Sequence, residues 1–174
     1  MALIWAIVKP LKLHIAKGKK VWYNLIKEYK GKNLMDRELL AKQNFESGMN
    51  CAQAVLLAFK DLIDIEEEQL KKMIIGFGGG FGRQRLTCGA VSGMVAVLGL
   101  LKSDGVDKLA SYSLVQKACA DFISELGTLS CAELLDGIPT DKSPKPEERT
   151  ESYYKKRPCA EICQIATKIA QKYI

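Results

Sequence analysis

The chain has 174 residues, 48% of them apolar and 26% charged, the make-up of one globular domain large enough to bury a core without disulfide staples. Its net charge of +6 sits at one end: residues 1–35 hold eight lysines against Glu28, a local +7, while 18 basic and 19 acidic residues nearly balance elsewhere. That asymmetry excludes a uniformly basic nucleic-acid binder, so no nucleic acid is expected as partner.

Residues 1–8 are apolar, too short a run for a bilayer, which needs about 20. A secretory leader wants a positive start, a longer apolar core and a small-residue cleavage site, and that pattern is missing. The expected compartment is therefore the reducing cytoplasm, where thiols seldom form structural disulfides. Trp5, Leu11, Leu13, Ile15, Val21, Trp22, Leu25 and Ile26 alternate with lysines, which describes an amphipathic arm over 1–35. Two destinations fit it equally: peripheral contact with an anionic membrane surface, or packing on its own domain or on a second copy. The one histidine, His14, lies in this arm, so histidine acid–base chemistry or a histidine-rich metal site is not expected in the domain over 36–174.

Helical signals dominate that domain. Asp36 caps a helix over 37–45, stopped at Gly48. Asn50, with Gln53 three residues on, forms a capping box before the apolar run 54–59. Asp64 caps a helix over 66–75 whose early acids suit the dipole. Residues 76–82 contain five glycines in seven and must be irregular. Thr87 restarts a helix through Ala90, Val91, Met94, Val95, Val97 and Leu98, apolar nearly all round and hence the central one. A long helix runs from 107 to 126 and ends at Gly127. Ser130 and Glu133 form a second capping box opening a short helix. Residues 139–157, rich in proline and charge, read as an exposed connection with a short helix near Tyr153, and 158–174 as the final helix. No period-two strand stands out. The expected class is all-α: a single helical bundle of about six helices, with a glycine-rich loop before the central helix.

Cys51, Cys88, Cys131 and Cys159 each follow a residue that favours helix starts: Asn50, Thr87, Ser130 and Pro158. A first-turn thiol feels the positive end of the dipole and unpaired amides, which draw its pKa downward. One such cysteine is most simply a small core residue; four repeating one pattern point to redox or metal chemistry. Intervals of 37, 43 and 28 residues exclude C-x-x-C chelation, so any cooperation must come from the tertiary fold. Arg83 and Arg85 bring charge toward Cys88, and the loop glycines open its amides to whatever binds there. The loop lacks the lysine and the spacing of a phosphate loop. Gly89 and Gly93, four apart, strip one helix face for a second helix or a flat ligand. Cys163 shares a face with Cys159, a place for a resolving thiol or a metal ligand, although core packing explains both it and Cys119 more simply.

Asn50-Cys51-Ala-Gln-Ala-Val55, Gly76-Phe-Gly-Gly-Gly80 with Gly82-Arg83, Cys88-Gly-Ala-Val-Ser-Gly93, Ser130-Cys131-Ala-Glu-Leu-Leu135 and Cys159 follow one another in this order. On these residues the chain over 45–174 resembles the C_GCAxxG_C_C family of small redox-active proteins. The resemblance implies that Cys51, Cys88, Cys131 and Cys159 are the family's four cysteines, in a helical fold with a redox role. The arm over 1–35, Cys119 and Cys163 depart from the pattern. The leading expectation is a thiol–disulfide oxidoreductase needing no cofactor, with Cys88 attacking and Cys51, Cys131 or Cys159 resolving, and with a redox protein or a small thiol as partner. The alternative is a binding module in which the same four cysteines ligate zinc or an iron–sulfur cluster. A third reading is a helical interaction protein with inert thiols.

Overall fold

The computed structural model describes residues 36–174, and over these the chain is all-α with no strand or sheet. The basic arm expected over 1–35, with His14 and its membrane or packing role, lies outside the described residues. Among the described residues no helix is long and apolar enough to cross a membrane.

Among the described residues seven helices of six residues or more form, against about six expected. They are α1 (Arg37–Glu46), α2 (Cys51–Leu57), α3 (Glu67–Ile74), α4 (Gly89–Lys102), α5 (Lys108–Leu126), α6 (Glu151–Lys156) and α7 (Cys159–Tyr173). Most start where capping chemistry places them. The Asp36 carboxylate accepts from Leu39 N at 2.9 Å. Asn50 Oδ1 accepts from the amides of Ala52 and Gln53, and Gln53 Oε1 accepts from Asn50 N, closing the capping box. Asp107 caps α5, which ends on left-handed Gly127.

Three starts differ from expectation. Glu66, not Asp64, stands before α3 without a side-chain bond, and Glu67 and Glu68 serve the dipole instead. Cys88, not Thr87, is the residue before α4. Ser130 Oγ accepts from Glu133 N at 3.3 Å, but only a 3₁₀ turn over Glu133–Leu135 follows. For the last two the cause is pairing across the chain. Thr87 and Ser130 form an isolated antiparallel bridge, in which Cys88 N donates to Leu129 O at 2.8 Å and Cys131 N to Leu86 O at 2.6 Å. Backbone groups tied into that bridge are withdrawn from a helix start on either side.

Helices α2, α4 and α7 form the centre. α7 packs on α1, α2, α4 and α5, and α2 on α1, α3 and α4. The core between them includes Phe45, Leu56, Phe59, Leu70, Met94, Leu98 and Phe122. The bare face of α4 meets a second helix rather than a ligand: a Cβ added at Gly93 would lie 2.7 Å from Ala52 O and 3.0 Å from Val55 Cβ. That contact presses the starts of α2 and α4 together, and with them Cys51 and Cys88.

The glycine segment is irregular as expected, in an unusual form. Gly79, Gly80, Phe81, Gly82 and Arg83 all have positive φ, and so does Arg85. Amides reach six residues back, Gly82 N to Gly76 O at 2.7 Å and Arg85 N to Gly79 O at 3.2 Å. Three of these residues carry side chains, each held in left-handed backbone at a cost of roughly 1–2 kcal/mol.

A thiol cluster beneath a ring of arginines

The tertiary fold gathers the family-pattern cysteines. Cys51 starts α2 and Cys159 starts α7, and their thiols lie within interaction range of each other. Cys163, one turn along α7, also reaches Cys51, its sulfur lying 3.8 Å from the Cys51 carbonyl. Cys88 and Cys131 each follow a residue of the Thr87–Ser130 bridge, in diagonal rather than facing positions, and each senses Cys159. Cys163 therefore belongs to the cluster as well as to the core. Cys119, on α5, stands apart, and burial alone raises its thiol. All six cysteines are free thiols.

A cavity of about 370 Å³ opens over this group. Cys51, Cys131 and Cys159 are in its lining; Cys88 does not reach it. Arg83, Arg85, Arg149 and Arg157 line it too, with Glu147 and Tyr153. The left-handed backbone aims the first two arginines. Arg83 donates to Ser143 O at 2.6 Å and to the Asp141 carboxylate. Arg85, only 8% exposed, donates to Asp141 O and to Glu147 Oε1 at 3.3 Å, and its guanidinium also meets the Cys131 thiol. Arg157, 6% exposed, donates to Glu147 Oε2 at 2.5 Å and lies 4.8 Å above the Tyr153 ring. The connection over 139–157 is largely exposed, as expected, and it is also tied down beside the cavity, because its Glu147 accepts from three guanidiniums. Arg83 holds the Asp141 carboxyl below its usual range.

The thiols are not drawn toward thiolate, contrary to the expectation from helix starts. Burial pushes Cys88 up to about 12, against the pull of the Ala90 and Val91 amides. Burial also raises Cys131 and outweighs the Arg85 guanidinium. Cys159 is raised first by its contact with Cys51 and then by burial. For Cys51 the Cys159 contact pulls downward, but Cys163, burial and neighbouring thiols together win. The charged form loses hydration that a few partial charges do not replace. The arginines help little, since Glu147 and Asp141 hold three of them. Nor are the amides of Gly82, Arg83, Gln84, Arg85 and Leu86 open to a ligand, because carbonyls over 76–81 accept them.

Cys88, buried and away from the cavity, is therefore poorly placed for the attacking role expected of it. Among the described residues no three His, Cys, Asp or Glu side chains are grouped to hold a metal ion. Sequence reasoning missed Glu147, Arg149 and Arg157. The available signal was their closeness in chain to Cys159, which anchors that segment at the site.

Fold and site together define a small helical protein built around a partly accessible thiol cluster. Residues 49–173 match the family described as "Putative redox-active protein (C_GCAxxG_C_C)", and the chain belongs to that family. Nothing matches it among the curated proteins or the solved structures.

Proposed function

We propose that the protein is a thiol–disulfide redox protein whose working couple is Cys51 and Cys159. The observation that carries this reading is the thiol–thiol approach of these two residues on the cavity wall. Cys51 and Cys159 both line the cavity, and Cys51 is the half-buried residue of the two, so the attack is assigned to Cys51. Cys51 gives its proton to solvent and attacks one sulfur of the disulfide, and the other sulfur leaves as thiolate. Cys159 then loses its proton and attacks Cys51, expelling the second thiolate. The two thiols lose two electrons and two protons, and one disulfide becomes two thiols. Cys88, away from the cavity, and Cys131, on its wall, are the remaining family-pattern thiols and stand within range of Cys159.

The test is differential cysteine alkylation read by mass spectrometry, before and after mild oxidation with diamide. The expected result is loss of free Cys51 and Cys159 together, with a peptide pair linking residues 51 and 159. Cys51→Ser and Cys159→Ser each abolish that link. Full alkylation of both residues after oxidation removes the proposal.

A further inference from the structure

The cavity over Cys51 and Cys159 is strongly cationic. Four guanidiniums and one carboxylate face into it, and that carboxylate, Glu147, accepts from Arg83, Arg85 and Arg157. Arg149 is left over. Its Nη2 reaches Met49 O at 3.5 Å, while its buried Nη1 has no hydrogen-bond partner among the described residues. Among the described residues no carboxylate pairs with Arg149, whereas Glu147 pairs with the other three, so its charge is the one left for an incoming anion. The guanidinium plane is set in advance, 4.6 Å over Phe45 and 4.7 Å over Tyr153. A fixed guanidinium fork is the group best matched to a carboxylate. The volume, about 370 Å³, lies in the usual range of small-molecule sites, roughly 300–1,000 Å³.

We propose that this cavity selects small disulfides bearing a carboxylate, which Arg149 pairs with while the S–S bond faces Cys51. The inference rests on the Cys51–Cys159 couple proposed above and names its substrate class. A sulfur–sulfur bond forms from Cys51 to the near sulfur as the ligand's own S–S bond breaks. Cys159 then displaces the retained half. The ligand takes up the two electrons and two protons that the couple loses.

Dithiodiglycolate and 2-hydroxyethyl disulfide are similar in size, and only the first is anionic. The full reduced chain is mixed with each, and the rate of Cys51–Cys159 disulfide formation is followed, with a reduced dithiol peptide as reference. The expected result is an anionic-over-neutral rate ratio about tenfold above the peptide's, the scale of electrostatic enrichment in a charged cleft. Arg149→Gln brings the ratio to the peptide value and Arg149→Lys keeps part of it. Sulfate at constant ionic strength lowers the wild-type ratio, which decides the matter if the variants fail to fold. Equal ratios for protein and peptide overturn the anion preference and leave the couple standing. If neither disulfide oxidises the couple, the redox reading itself falls, and this substrate class with it.

Discussion

Cys51 shows how two effects compete on one residue. Its place at a helix start favours the thiolate, and its neighbours favour the thiol more strongly. The sign fixes the pH dependence. A raised pKa keeps the nucleophilic form scarce at neutral pH, so iodoacetamide labelling of Cys51 is expected to accelerate with each pH unit past 9 without levelling off. A plateau near pH 7 would instead mean that the dipole and the arginines prevail. Cys88, pushed up to about 12 and outside the cavity, is expected to label far more slowly than Cys51 at any pH at which the fold survives.

At the scale of elements, two glycines set the positions of the sulfurs. Gly93 lets α4 lie against the α2 backbone. Gly93→Ala is expected to cost about 1–3 kcal/mol through overpacking, read as a lower denaturation midpoint with unchanged helical circular dichroism. Gly80 has φ +66°, and a Cβ there would lie 2.8 Å from both Cys131 Cβ and Leu86 N. Gly80→Ala combines left-handed strain with a backbone clash, about 2–4 kcal/mol together, and displaces Cys131. Increased alkylation of Cys131 in that variant checks the second effect. Loss of stability without it would mean that the loop moves and the cysteine stays.

Across the whole molecule, residues 139–157 are tied to the helical body through Glu147. Arg85 and Arg157 are buried guanidiniums that share this one carboxylate. Removing one partner of a fully buried pair costs about 3–5 kcal/mol. Glu147 retains 30% of its side-chain exposure, so Glu147→Gln is expected to cost less, about 1–3 kcal/mol, and to make the strap sensitive to limited proteolysis. An unchanged denaturation midpoint contradicts that account. The thiol cluster makes global stability depend on pH as well. Each buried thiol holds its proton more tightly folded than unfolded. Its contribution is complete below the unfolded value of about 8.5 and declines as pH rises toward the folded value. Under reducing conditions the midpoint is expected to fall steadily above about pH 9, with a slope approaching 1.4 kcal/mol per pH unit for each thiol that titrates in that window.

The chain's one-dimensional pattern determined whatever is local. Asp36, the Asn50–Gln53 box, Asp107 and Gly127 each act within four residues, which is why helix starts, helix ends and the all-α class could be read before any contact was known. The family pattern likewise marked Cys51, Cys88, Cys131 and Cys159, since a motif is carried in sequence. Distance between sulfurs is not local. Cys51 meets Cys159 across 108 positions because α2 and α7 pack in the core, and Cys88 meets Cys131 through a bridge that also took their neighbours out of the expected helix starts. Burial follows from that packing, and it reversed the protonation expected from the helix ends. A dipole is a property of one element, whereas dehydration belongs to everything packed around it.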